Sequence, residues 1–377
     1  MKLIINISGN YTGGCFQIAT SFLFECINFP NHLYYVLLGD KLMNALDKKC
    51  FSSNFIFYRI PNMPWYKLNS YVSGIVNNLQ ADAAFTLFGP PYVQFKMIHL
   101  VGFAQGYYIY PDSPFWKRLT WHERLIQYLK KKVHLLYYAK FADALVSETN
   151  DATNRIKAIL GNKKKYYTVS NTCNSFFYNF CKSNRLILPK KLANEIRLLT
   201  VCTYRKHKNI ECIPRVIKEL ISRGISNIRF VLTIDDHNYY KIFGSDELLN
   251  QYVYNVGLVK AENLPQLYSE CDMLFLPTLI ECFSANYPEA MIMRKCILTS
   301  DLDFAHSICK NAALYFNPND IIDIVDKIEQ IINNKELKKE LQEKGIQVFH
   351  SNMLTAKERA KAYLDICLEL SKLQQII

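Results

Sequence analysis

Leu276-Pro277-Thr278-Leu279-Ile280-Glu281-Cys282-Phe283-Ser284-Ala285-Asn286-Tyr287-Pro288-Glu289-Ala290-Met291 is the stretch on which the reading of this chain turns. The apolar run Met273 to Leu276 stops at a proline, which reads as a buried strand ending in a loop. Pro288 suits the first turn of a helix, where a missing N–H is no loss and the ring holds φ at a helical value. Two carboxylates, Glu281 and Glu289, therefore flank one helix N-terminus. Amides from Phe283 to Asn286 would favour an anion such as a diphosphate, and carboxylates accept hydrogen bonds from sugar hydroxyls. On spacing alone, a Glu289 that only complements the helix dipole and a solvated Glu281 remain open.

Outward from this stretch, strand-like runs alternate with helix-like segments along the whole chain, the pattern of α/β architecture with mainly parallel sheets. Strands are expected near Leu3–Ser8, Leu33–Leu38, Phe55–Tyr58, Ala84–Phe88, Met97–Val101, Ala144–Ser147 and Tyr167–Ser170. A second series is expected near Leu198–Tyr204, Ile228–Ile234, Val253–Val256, Met273–Leu276, Cys296–Thr299 and Ala313–Phe316. Between the series, NFCKSNRLILPKKLANE (Asn179 to Glu195) loses periodicity and reads as a connection. The expected division is 1–178, a linker at 179–196, a second domain at 197–354 and a final helix at 355–377. Ile213, Val216, Ile217 and Leu220 recur at helical spacing and mark one buried stripe.

The 377 residues exceed the usual single-domain size, and 50% apolar with 21% charged residues excludes a disordered chain or a coiled-coil rod. The net charge of +12 suits an anionic partner without choosing among a phosphorylated small molecule, a nucleic acid and an acidic membrane. Twelve cysteines with no CxxC pair read as reduced core residues. The five-residue apolar stretch at the start is too short for a signal-peptide core, and no run reaches the ~18 apolar residues of a membrane span. A cytoplasmic protein, or one peripheral on the membrane's inner face, is expected.

Two further segments carry candidate contacts. Ser8-Gly9-Asn10-Tyr11-Thr12-Gly13-Gly14 joins a strand to a helix, and Gly13 and Gly14 would let amides approach a phosphate or sugar; a tight structural turn is the alternative. The spacing matches neither GxGxxG nor a Walker loop. Residues 114–138, PFWKRLTWHERLIQYLKKKVHLLYY, mix Trp116, Trp121 and several tyrosines with six cations against one Glu123. A basic aromatic helix of this kind lies on an anionic membrane surface, or buries its aromatic stripe in a core. No nucleic-acid module is recognisable, and none is expected as a partner.

From Leu199 to Pro318 the chain resembles the C-terminal domain of retaining glycosyltransferases of family 4, in the glycosyl transferases group 1 class. The resemblance rests on Glu281 and Glu289 as its Glu-x7-Glu motif, Pro277-Thr278 before it, Asn255-Val256-Gly257-Leu258-Val259, Leu264-Pro265-Gln266-Leu267-Tyr268 and Ser300-Asp301. It implies a GT-B fold: two Rossmann-like domains facing each other across a cleft, with a C-terminal helix crossing back to the first. It also implies that Glu289 binds ribose hydroxyls, that Glu281 meets the transferred sugar, and that the amides of Phe283, Ser284 and Ala285 meet sugar or diphosphate. Gly257 and Val259 would lie near the base. Lys208 matches the family's diphosphate-binding Lys, whereas Thr203 stands where the Arg is usual and Arg205 or Lys206 would substitute. His99 would touch the transferred sugar, an ordinary buried histidine being the alternative.

The resemblance further implies a donor that is a nucleotide-diphosphate sugar, no cofactor, and no metal, since cations stabilise the charge growing on the departing diphosphate. The acceptor would be a glycan or lipid-linked glycan, transfer would retain anomeric configuration, and the process would be capsule, O-antigen or lipopolysaccharide assembly in a bacterium. The readings left beside it are a non-catalytic nucleotide-sugar binding protein, a GT-B sugar-nucleotide epimerase and a charge-driven adaptor.

Overall fold

The apolar runs become thirteen strands among the described residues of the computed structural model, which are 1–9, 14–183 and 185–374. The first seven are β1 (Lys2–Ile7), β2 (Leu33–Gly39), β3 (Phe55–Ile60), β4 (Ala83–Thr86), β5 (Ile98–Phe103), β6 (Ala144–Ser147) and β7 (Lys165–Thr168). They pair in parallel in the order β3-β2-β1-β4-β5-β6-β7. The second series is β8 (Ile196–Thr200), β9 (Ile228–Leu232), β10 (Val253–Asn255), β11 (Met273–Leu276), β12 (Cys296–Ser300) and β13 (Ala313–Phe316). Its order is β10-β9-β8-β11-β12-β13, again all parallel. Each sheet reverses its order beside its first strand, the doubly wound Rossmann arrangement.

The two units are Met1–Ile109 with Trp121–Asn171 and the chain from Leu354, and Tyr110–Thr120 with Thr172–Met353. The division differs from an unbroken first domain at 1–178 because short segments pack with the second sheet. Ser113 Oγ donates to Leu279 O at 2.6 Å, Tyr110 lies edge-on to Phe304 and Phe115 edge-on to His207. The stretch expected as a free connection is also bound to the second unit. The amide of Ser183 donates to Gln266, the amides of Ile187 and Leu188 donate to Glu270, and Lys191 pairs with Asp272.

Burial follows the sequence periods. Ile213, Val216, Ile217 and Leu220 are fully buried along one face of the Ile213–Ser222 helix, each contributing about 2 kcal/mol of hydrophobic stabilisation before ordering entropy is set against it. In the first unit the final helix, Ala356–Gln374, packs on the Gly14–Cys26 helix, with Tyr363 edge-on to Phe22 and tilted on Phe85. Nine cysteines are buried and none is disulfide-bonded; Cys50 and Cys181 are exposed.

Gly102 has a packing reason to be glycine. A Cβ there would stand 1.9 Å from the Leu87 carbonyl oxygen, and the Gly89 amide donates to the Gly102 carbonyl at 2.8 Å. Close backbone approach at the ends of β4 and β5 admits no side chain.

Candidate functional site

In an open parallel sheet, ligands bind beyond the carboxyl ends of the strands where the order reverses. In the second unit that point lies between β8 and β11. The two strands pair only through Met273 with Leu198 and Leu274 with Leu199. Thr200 Oγ1 then donates to the Phe275 carbonyl at 2.6 Å. The loops leaving this point carry Val201 to Lys208 and Pro277 to Ala285.

Lys208 ends a short 3-10 turn, Lys206–Lys208, and Asn209 follows at φ 55, a left-handed conformation that asparagine tolerates. The turn aims the Lys208 ammonium at Glu281, and the two form an ion pair. Their side chains are 16% and 15% accessible, enclosed yet within reach of a ligand. Burial disfavours the Lys208 charge, but the Glu281 carboxylate outweighs it and holds the ammonium above its usual range. Burial lowers the neighbouring His207 to about 4 and raises the Cys202 thiol to about 11, so both are neutral beside the pair near pH 7.

Glu289 lies on the Asn286–Ile292 helix and is buried. Burial raises its carboxyl to about 7, and the hydrogen bond from Tyr268 Oη at 3.0 Å opposes that rise. Near neutrality this carboxyl is poised between its acid and its anion. Asn286, at the helix start, donates from Nδ2 to the Val201 carbonyl at 2.7 Å and so ties the helix to the end of β8. Among the described residues the amides of Phe283, Ser284 and Ala285 find no acceptor. These amides lie between Glu281 and Glu289 at the start of the Asn286–Ile292 helix, where the backbone would favour an anion.

Thr203 and Arg205 are exposed on the loop after β8. Arg205 is close enough to lower the His207 pKa, which keeps its cation in the neighbourhood of Lys208. Gly257 follows β10 at φ 66, where any side chain would be strained, and Val259 is half-buried two residues on. The side chains of Tyr268 and Asn286 are part of the geometry although the sequence reading gave neither side chain a role. Tyr268 stood in the Leu264-to-Tyr268 helix motif, but nothing in spacing reveals a partner 21 positions away.

In the first unit Gly13 lies outside the described residues, and Gly14 opens the Gly14–Cys26 helix with open space where a Cβ would stand. His99 corrects the expectation of a sugar contact. It is the second residue of β5, toward the amino end of a parallel strand and away from the edge where ligands bind. It is 1% exposed, its Nδ1 donates to the Phe141 carbonyl at 2.8 Å, and its Nε2 accepts from Thr86 Oγ1 at 2.7 Å. Asn6 Nδ2 donates in turn to Thr86 at 3.0 Å. His99 is therefore a satisfied core histidine, and burial lowers it to about 4.

The basic aromatic stretch 114–138 is also not one helix. A 3-10 turn, Pro114–Arg118, belongs to the second unit, and a helix, Trp121–Phe141, belongs to the first. Asp301 pairs with His306 at 2.6 Å, and Leu302 holds the N-cap position of the helix that follows without a side-chain bond.

Residues 187–348 match the family described as Glycosyl transferases group 1. A search of curated protein sequences finds no match. Among solved structures, a glycosyltransferase from Rickettsia africae ESF-5 superposes with a TM-score of 0.73 at 14% identity, covering 98% of each chain. Anabaena Alr3699/HepE in complex with UDP and glucose gives 0.70 at 13% identity, covering 97% of this chain and 99% of that one. WaaG, a glycosyltransferase involved in lipopolysaccharide biosynthesis, gives 0.68 at 13% identity with the same coverage. The fold is the GT-B class of two Rossmann-like α/β domains.

Proposed function

We propose that this chain, with its glycosyl transferases group 1 domain at 187–348, is a glycosyltransferase that uses a nucleotide-diphosphate sugar as donor. The observation that carries the reading is the Lys208–Glu281 ion pair at the carboxyl ends of β8 and β11, with Glu289 buried on the helix that follows. The residues assigned here to the donor fall within the stretch that matches the group 1 family.

In this reading the free protein keeps Lys208 neutralised by Glu281. An incoming diphosphate competes for the ammonium, and the amides of Phe283, Ser284 and Ala285 take its remaining oxygens. Glu281, freed from the pair, accepts hydrogen bonds from the sugar, and Glu289 accepts them from the ribose. As the glycosidic bond breaks, negative charge grows on the diphosphate, and Lys208 with Arg205 stabilises it more than the ground state. That charge compensation supports transfer without a metal. Gly257 and Val259 are assigned to the base.

The acceptor is a hydroxyl of a glycan or lipid-linked glycan, and the transfer retains configuration at the anomeric carbon, as in the family 4 enzymes that the Glu-x7-Glu spacing resembles. The process is bacterial surface polysaccharide assembly, capsule, O-antigen or lipopolysaccharide, at the cytoplasmic face of the membrane. Structural likeness to WaaG agrees with this process. The test is consumption of UDP-, GDP- or ADP-linked sugars with bacterial envelope glycolipids in EDTA, followed by NMR of the product's anomeric centre. Transfer with retention supports the reading. Binding without turnover would favour a non-catalytic sugar-nucleotide protein, and inverted product would remove retention.

A further inference from the structure

The Trp121–Phe141 helix is amphipathic in the reverse sense of a core-packed helix. Its buried positions are His134 and Tyr138, with Gln127 and Lys131 half-buried on the same side. Its outward stripe is Trp121, Leu125, Leu129, Val133 and Leu136, spaced four, four, four and three residues apart along one face. All five are exposed, Trp121 by 67% and Leu136 by 69%. The apolar surface extends to Trp65 and Tyr66 at the start of the Trp65–Val76 helix, for the Trp65 ring lies 5.7 Å from Tyr137. A patch of this kind is a binding surface in a stable protein.

Its charge selects the occupant. The helix carries Arg124, Lys130, Lys131, Lys132 and Lys140 against the single acid Glu123. Lys130, Lys132 and Lys140 are exposed, and Lys132 lies 5.4 Å from the centre of the Tyr128 ring. A second copy meeting this face through a two-fold axis would set lysine against lysine. A bilayer with anionic headgroups instead takes the leucines and tryptophan into its acyl boundary and pairs each lysine with a phosphate. No helix among the described residues is long and apolar enough to cross a membrane, so the contact is one of docking.

We infer that the outward face of the Trp121–Phe141 helix, with Trp65 and Tyr66, docks the protein on an anionic lipid surface. The inference deepens the proposal of a lipid-linked acceptor and rests on it for its purpose. Its evidence, an outward apolar stripe among lysines, belongs to the first unit alone.

The experiment is flotation of the full chain with vesicles of phosphatidylglycerol and phosphatidylethanolamine, beside vesicles of phosphatidylcholine, at low and high salt. Wild type is expected to float with anionic vesicles and to be weakened by salt. Leu129→Ser with Leu136→Ser, and separately Lys130→Glu with Lys132→Glu, should each lower partitioning by roughly tenfold or more. Circular dichroism and the melting shift produced by nucleotides, whose site lies in the other unit, check that the variants are folded. No flotation of wild type, equal flotation of the variants, or a dimer or DNA complex broken by the leucine pair without flotation overturns the inference. Flotation with no nucleotide shift leaves docking standing and removes the glycosyltransferase reading; the reverse result removes docking alone.

Discussion

Lys208, in the turn after β8, forms an ion pair with Glu281, in the loop after β11, across 73 positions of sequence. Strand order brings them together, because β11 lies beside β8 although β9 and β10 intervene in the chain. Lys208→Ala is expected to lower turnover by about a hundredfold or more, the size of effect seen when a group facing transition-state charge is removed. The same change strands a half-enclosed carboxylate, so some stability is lost too. Lys208→Met combined with Glu281→Gln should recover the melting temperature and none of the activity, as measured by thermal unfolding beside initial rates.

Glu289 supplies a pH dependence with a definite sign. Burial raises its folded pKa to about 7 from the usual 4.5, so the folded state holds the proton more tightly than the unfolded chain. Its contribution is fully present below about pH 4.5 and is lost as pH rises through about 7, amounting to about 3 kcal/mol. Denaturant unfolding between pH 5 and 8 should show that loss in wild type, and Glu289→Gln should remove it.

Nucleotide binding should act on the same carboxyl in the opposite direction. Ribose hydroxyls that donate to Glu289 favour its anion, so complex formation near pH 7 releases a proton. Calorimetry in buffers of different ionisation heat measures that release directly, and Glu289→Gln should abolish it.

His99 predicts a structural rather than catalytic phenotype. Its folded pKa is lowered to about 4 from 6.5, so its contribution is present above about pH 6.5 and is lost as pH falls through about 4, worth about 3 kcal/mol. His99→Ala breaks the Asn6–Thr86–His99 chain and leaves a cavity, a loss of roughly 2 to 4 kcal/mol. Specific activity per folded molecule should be within a fewfold of wild type when both are assayed well below their melting points.

Much of the fold was legible because its strands are buried on both faces and read as apolar runs. Ile228–Leu232 and Met273–Leu276 need no partner to be recognised. The loops at the switch point were legible for a related reason: Pro277 and Pro288 mark where the chain leaves a strand and enters a helix. For His99 the sugar contact and the ordinary buried histidine both stood open because a strand's apolar pattern gives no measure of height along the sheet, and only the β5 register with β4 places it near the amino end. Residues 114–138 looked continuous because composition does not register a break at Leu119–Thr120, beyond which the chain joins the other unit. Tyr268 was silent because its phenol finds Glu289 only through tertiary packing.

The most direct test of the account is a thermal-shift screen of wild type and Glu289→Ala against UDP, GDP, ADP and CMP and their common sugars, without added metal. A ligand that binds only the folded state raises its melting temperature. The account predicts that one of the nucleoside diphosphates, and not the monophosphate CMP, stabilises wild type and that Glu289→Ala loses most of that shift. No shift with any nucleotide, or an equal shift in both proteins, would contradict a donor site built around Glu289.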